Sequence, residues 1–156
     1  MIQLKRLLVP TDFSAPSERA AAYAAELARR LQAEEVHCLH VSDIPADLLA
    51  TSGYYLTGPT EEFVAQVREE SRRSLEAFAE KHLGGLPVRT AFVEGRPFVE
   101  IVRYAREHAI ELIVIATHGR TGLTHALFGS VAEKVVRKAP CPVLVVKQRE
   151  REFVMP

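Results

Sequence analysis

The sequence predicts an α/β fold, a single domain built on an open, twisted, five-stranded parallel sheet with helices on both faces. Short apolar runs alternate along the chain with helix-length amphipathic segments, which is the pattern of repeated βαβ units. Such crossovers are right-handed, so successive helices cover both faces of one sheet. The fourth run, ELIVIA, is apolar after Glu111, as expected of a parallel strand buried on both sides. This arrangement is Rossmann-like.

Five strands and four helices are expected in alternation. The strands are expected at residues 7–10, 36–41, 88–93, 111–116 and 142–147. Ser14 is expected to cap the first helix, with Pro16 in the first turn, where its missing N–H costs no hydrogen bond. Helical spacing predicts the buried stripes of the first two helices, Ala20, Tyr23, Ala24, Leu27 and Leu31, and then Phe63, Val67, Leu75 and Phe78.

The 156 residues fit one domain, expected over residues 1–148 and followed by a tail at 149–156. Between the second strand and the second helix lies a loop at 42–59, rich in Pro, Gly, Ser and Thr. Loops of this length in compact domains are functional or mobile. Two interpretations stay open here, a lid that closes over a ligand and a surface loop.

Composition excludes several classes of protein. Lys plus Arg and Asp plus Glu both number 20, so the chain lacks the excess positive charge of a nucleic-acid binder. No apolar stretch approaches the ~20 residues that span a bilayer, and the first residues lack a signal-peptide core, so a cytoplasmic protein is expected. Two cysteines, Cys38 and Cys141, are too few for a disulfide framework, and Cys38 is expected in the core.

Topology places a ligand site before any motif is considered. In open parallel sheets, ligands bind beyond the carboxyl ends of the strands, where strand order reverses. The loops expected to meet there follow the first and fourth strands and read PTDFS and ATHGRTGLTHALFGS. The second loop holds Gly119 and ends at Gly129-Ser130, where a helix begins. Because glycine allows close backbone approach and a helix start offers unpaired N–H groups, Ser130 and Val131 are expected to donate to a phosphate.

A structural alternative exists for the same residues. Ser130 and Glu133 have the S-x-x-E spacing of a capping box, in which each side chain bonds the other's backbone N–H. Spacing alone leaves the two interpretations equally open. Elsewhere there is no P-loop lysine motif, His37 and His40 fall on opposite faces of a strand, and no general base has an orienting partner. We therefore expect neither a metal site nor an enzyme, and no catalytic residue.

Three segments resemble the universal stress protein family: VPTDFS, CLHV, and VIATHGRTGLTHALFGSVAEKVVRKAPCPVLVVK. The resemblance runs from about Leu4 to Lys147. The nucleotide-binding branch of that family carries G-x-x-G, nine residues, then G-[ST]. Here Ala116 stands at the first glycine and His118 inside the motif, while Gly119, Gly129 and Ser130 match.

The resemblance implies an adenine nucleotide alpha-hydrolase-like fold and a regulatory ATP-binding protein of the stress response. It places Thr11, Asp12 and Val41 at the adenine, with Pro10 and Ile115 nearby, and Gly119, Gly129, Ser130 and Val131 at the phosphates. Whether Mg²⁺ or Mn²⁺ accompanies ATP stays open. Two other functions also stay open, an interaction dimer that binds no nucleotide and a slow ATP-hydrolysing enzyme.

The fifth strand predicts a homodimer. Sequence order and right-handed crossovers place it at one edge of the sheet. Its VLVV run is apolar on both faces and has neither the proline nor the inward charge that protects an exposed edge. Pairing with the same strand of a second copy would cover it.

Overall fold

A computed structural model describes residues 4–43, 61–117 and 129–147. Five strands alternate with four helices in this part of the chain. In chain order the elements are β1 (Arg6–Pro10), α1 (Ala15–Leu31), β2 (Glu35–Ser42), α2 (Glu61–Leu83), β3 (Val88–Glu94), α3 (Pro97–Glu107), β4 (Leu112–Ala116), α4 (Ser130–Lys138) and β5 (Val143–Val146). Every strand end lies within one residue of its expected position.

The sheet has the order β3-β2-β1-β4-β5, and its neighbouring strands all pair in parallel. The order runs outward from β1 in both directions, so the direction of winding reverses between β1 and β4. Both β3 and β5 are edge strands. The predicted fold class and the edge position of β5 are thus confirmed.

Alternate residues of the strands point to opposite faces and supply two cores. Leu7 and Val9 of β1 belong to the core under α1 and α2, where Leu75 and Phe78 are also buried. Leu8 between them points to the other core, which α3 and α4 cover. The second core contains Ile101 and Tyr104 of α3 and Ala132 and Val135 of α4. Helices therefore cover both faces of the sheet, as expected.

The predicted cap of α1 is confirmed, since the Ser14 side chain accepts a hydrogen bond from the N–H of Ser17 at 3.4 Å. The predicted buried stripes are wrong at three positions. Tyr23, Leu31 and Phe63 are 41%, 42% and 55% exposed. The alanines of α1 make the closest contact with the sheet instead, because small side chains let the helix approach it.

The ladder between β1 and β4 is short, with only two paired positions, Leu7 with Leu112 and Leu8 with Ile113. The N–H of Thr11 donates to Leu39 of β2. Because backbone groups alternate sides along a strand, the nitrogen of Pro10 faces β4, and proline has no N–H to donate there. The two strands consequently part before they end, and a cleft opens between their carboxyl ends.

Residues 44–60, which hold most of the predicted loop, and the tail 149–156 lie outside the described residues, so the lid and the domain boundary stay predictions. Among the described residues, no helix is both long and apolar enough to cross a membrane.

Candidate functional site

A cavity of about 640 Å³ occupies the cleft between β1 and β4. Small-molecule sites commonly enclose ~300–1,000 Å³. The loops after β1, β2 and β4, the first turns of α3 and α4 and one face of α2 all contribute to its wall. It lies where topology predicted a ligand site.

The structure brings nine of the eleven predicted site residues to this cavity. They are Pro10, Thr11, Asp12, Val41, Ile115, Ala116, Gly129, Ser130 and Val131. The other two, His118 and Gly119, lie outside the described residues.

The loop after β1 is held by a chain of hydrogen bonds. The N–H of Phe13 donates to the Thr11 hydroxyl at 3.0 Å, that hydroxyl donates to the Ser17 hydroxyl at 3.0 Å, and Ser17 donates to the carbonyl oxygen of Ser14 at 2.8 Å. Asp12 Oδ1 accepts from the N–H of Ser14 at 3.1 Å and from its hydroxyl. These bonds fix the Asp12 carboxylate at the cavity wall.

Phe13 has a φ of 64°, in the left-handed region that bulky residues seldom adopt. Its ring stacks on the imidazole of His40, with centroids 4.4 Å apart and planes inclined by 30°. His40 Nδ1 lies 2.8 Å from the carbonyl oxygen of Thr11, and because a carbonyl only accepts, Nδ1 carries the proton. His40 thus supports the strained turn from the neighbouring strand.

The sequence did not single out His40, Ser17 or the wall formed by α2. That wall consists of Val67, Glu70, Ser71 and Ser74, at helical spacing on one face of the helix. Val67 was expected in the core, and the polar residues that follow it on the same face were the available indication that this stripe borders a cavity. His40 was considered only as one of a metal pair.

The capping box predicted for Ser130 and Glu133 is wrong, while the phosphate interpretation of the same residues stays a prediction. Gly129 is the N-cap and makes no side-chain capping bond, while Ser130 is already the first helical residue. The Glu133 carboxylate pairs with Arg137 one turn later, at 3.0 Å, instead of reaching back. The first N–H groups of a helix have no acceptor within it, so those of Ser130 and Val131 point out of the helix at the positive end of its dipole.

The family model described as Universal stress protein family matches residues 3–147, almost the full length of the chain. The chain belongs to the universal stress protein family. The resemblance noted in the sequence is thereby confirmed, and the cavity described above is that of a universal stress protein fold.

Two universal stress proteins of Methanocaldococcus jannaschii are similar to this chain along most of their length. MJ0531 is 37% identical over 150 residues, which cover 95% of this chain and 85% of the relative. MJ0577 is 36% identical over 162 residues, 95% of this chain and 98% of the relative. The solved structure of MJ0577 superposes with a TM-score of 0.80 at 34% identity, covering 96% of this chain and all of that one.

Two solved structures of the family contain a ligand. A universal stress protein in complex with cAMP has a TM-score of 0.61 at 22% identity and covers 95% of this chain and 100% of its own. The Archaeoglobus fulgidus protein in complex with dAMP has a TM-score of 0.59 at 23% identity, with 93% and 98% covered. At these identities the likeness shows that the fold is shared.

Metal-binding clusters and reactive thiols are absent from the part of the chain that the structure describes. Among residues 4–43, 61–117 and 129–147, no three His, Cys, Asp or Glu side chains are grouped to hold a metal ion. Burial raises the pKa of the Cys38 thiol to about 12 and also raises the pKa of Cys141, so both stay protonated at neutral pH.

Proposed function

We propose that this universal stress protein is a cytoplasmic regulator that binds an adenine nucleotide, ATP in the first place, in the cavity between β1 and β4. The observation that carries the proposal is the convergence of three features on one cavity. These are the open start of α4 behind a glycine, the fixed carboxylate of Asp12, and the apolar ends of β2 and β4. A polyphosphate, a ribose and a base need these three environments.

The phosphates belong at the start of α4. The N–H groups of Ser130 and Val131, the Ser130 hydroxyl and the helix dipole all favour an anion there. Gly129 has a φ of −67° and a ψ of 154°, which any residue can adopt, so its backbone does not require glycine. We infer that glycine stands here because a side chain would enter the space of the phosphates.

The base and ribose belong at the other side of the cleft. Val41 near the end of β2 and Ile115 near the end of β4 offer apolar surface to the cavity, and Asp12 lines it from the loop after β1. A carboxylate can accept hydrogen bonds from ribose hydroxyls. Ala116 stands where the nucleotide-binding branch has glycine, and its methyl group narrows the cavity and sets the affinity rather than the location of binding.

The family's ligand-bound structures support this assignment at the level of the fold. The proteins solved with cAMP and dAMP share the fold of this chain. Both ligands are adenine nucleotides, so this architecture accommodates that class of molecule in those relatives.

We also propose that the protein does not turn its nucleotide over. The described residues bring three carboxylates to the cavity, Asp12, Asp43 and Glu70, and Asp12 Oδ1 already accepts two hydrogen bonds from Ser14. Phosphoryl transfer needs a residue that orients the nucleophile, as well as cations that balance the developing charge. The bound or free state would then act through partner proteins.

The decisive experiment has two parts. Mass spectrometry of nucleotides released from freshly purified, denatured protein identifies the natural ligand, and calorimetry measures the affinity of the emptied protein for ATP. An affinity in the micromolar range, on the order of −8 kcal/mol, is expected where backbone N–H groups hold the phosphates. The proposal would be refuted if the purified protein released no nucleotide and if calorimetry showed no heat of binding up to millimolar ATP. That result would favour an interaction dimer.

A further inference from the structure

Two cations lie over one aromatic ring where the start of α3 contacts α4. The guanidinium carbon of Arg96 lies 5.8 Å from the centroid of the Phe98 ring, and Nζ of Lys134 lies 5.0 Å from it. Within the part of the chain that the structure describes, neither cation forms an ion pair with a carboxylate. Both are exposed, while Phe98 is half-buried against the second core.

The pair lies beside the cavity. Pro97, which separates Arg96 from Phe98, lines the cavity, and so does Val131, three residues before Lys134 on α4. Side chains on a helix lean toward its N-terminus, so the Lys134 stem runs back over the first turn of α4. That turn carries the N–H groups of Ser130 and Val131.

The first turns of two helices therefore meet at this point. Arg96 is the N-cap of α3, and Gly129 is the N-cap of α4. Each helix start contributes a partial positive charge, and the two side chains add two full ones. Positive charge thus accumulates where the phosphate chain of a nucleotide would leave the cleft.

We propose that Arg96 and Lys134, positioned by Phe98, bind the outer phosphates of the nucleotide and make the site select triphosphates over monophosphates. This inference rests on the proposed function, because it assigns a role at the same cavity. The two residues supply the charge that a P-loop lysine supplies elsewhere. AMP reaches only the backbone donors of α4, whereas the β- and γ-phosphates of ATP extend to the two side chains.

A purely structural role would give the same contacts. The apolar stem of Lys134 can shield the Phe98 ring from water without any ligand. The two roles differ in what the charge does, so a substitution that keeps the stem and removes the charge separates them. Lys134→Met does so, and Arg96→Gln removes the second charge at similar length.

The test is calorimetry of ATP, ADP and AMP with the full chain, as wild type, Lys134→Met, Arg96→Gln and the double variant. Each single substitution should lower the affinity for ATP about tenfold, the change expected on losing one charged hydrogen bond. The affinity for AMP should fall less than about twofold. Lys134→Arg should restore ATP binding. Lys138→Met, an exposed lysine in the last turn of the same helix, is the matched control and should change neither affinity.

Salt provides a second readout. Added KCl should lower the affinity for ATP more than the affinity for AMP in the wild type, because salt screens the attraction between the two side chains and the outer phosphates. The double variant lacks both charges, so it should lose most of that difference. An ATP-to-AMP affinity ratio that stays the same in the double variant would overturn the inference while nucleotide binding stood. A wild type that binds none of the three nucleotides would overturn the proposed function, and this inference with it.

Discussion

The backbone N–H of Gly129 donates to the carbonyl oxygen of Thr117 across 2.6 Å, and this bond ties the first turn of α4 to the end of β4. Both residues line the cavity. The helix start is therefore held in place by a backbone hydrogen bond, which a side chain added at position 129 would leave intact.

Gly129→Val should abolish nucleotide binding and leave the fold intact. The backbone at this position has β-region dihedrals, which suit valine, so no strain is added. The branched side chain would occupy the space assigned to the phosphates. Calorimetry should show ATP affinity reduced by about a hundredfold or more, and Gly129→Ala should fall between the two. Undiminished ATP binding in a well-folded valine variant would contradict the phosphate assignment.

Turnover of ATP should be absent or far slower than about 1 per second, the lower end of common enzyme rates. The measurement is steady-state phosphate release from purified protein with Mg²⁺ or Mn²⁺ present. Asp12→Asn tests the carboxylate of the loop after β1. Release at enzyme-like rates in the wild type, lost in this variant, would contradict our proposal and establish an ATP-hydrolysing enzyme.

Stability should fall as the solution becomes acidic, because of His37 at the opposite end of the sheet. Its Nε2 lies 3.0 Å from the Glu35 carboxylate and its Nδ1 2.8 Å from the Tyr104 hydroxyl. A carboxylate only accepts, so Nε2 donates to it; in the neutral ring Nδ1 then accepts from the Tyr104 hydroxyl, and both nitrogens are bonded. Burial lowers the pKa of His37 below its ordinary 6.5, although Glu35 opposes the shift.

The lowered pKa of His37 means that the folded protein loses stability as the pH falls. Below pH 6.5 the unfolded chain takes up a proton at His37 before the folded chain does, so the contribution to stability is complete above that pH and is lost down to the lowered folded pKa. His37→Gln offers a donor and an acceptor but no titration, and is the matched control. Urea unfolding at about pH 7.5 and 5.5 should show the wild type losing more of its free energy of unfolding than this variant. Equal losses would contradict the assignment.

A homodimer through β5 remains our expectation, and Leu144 is the residue at which to test it. Val145 packs against the second core, so a charge there would damage the monomer as well as any interface. Leu144 is 37% exposed on the same edge strand. Leu144→Lys should therefore yield folded monomers, and light scattering at tens of micromolar should find the wild type at twice the chain mass. A monomeric wild type would end the proposal.

The fold could be predicted because each strand is an apolar run bounded by turn residues, and parallel winding follows from alternation with helices. The cavity could be predicted because its position depends on winding order alone. The cavity wall formed by α2 could not be predicted from the sequence. Helical periodicity shows that Val67 and Ser71 share a face of α2, but it does not show that this face extends beyond the sheet to the cavity. The predicted burial of Tyr23 and Leu31 was wrong because the alanines of α1 already fill the contact between this helix and the sheet.

Ser130 shows a different limit. Its S-x-x-E spacing satisfied the rule for a capping box, yet Gly129 takes the cap position and Glu133 pairs with Arg137. Two favourable local arrangements competed for one carboxylate, and spacing does not rank them. His40 was missed because its role depends on the neighbouring turn, where it supports Phe13.

The early end of the β1–β4 ladder is a property of the backbone, whereas the choice of ligand depends on the side chains that line the cavity. Because the gap arises where Pro10 turns a nitrogen without hydrogen toward β4, no side chain holds it open and none needs to be removed to make it. Replacement of residues around the rim changes which molecule is retained, while the opening itself persists. One inherited backbone can in this way serve descendants with different ligands, or with none.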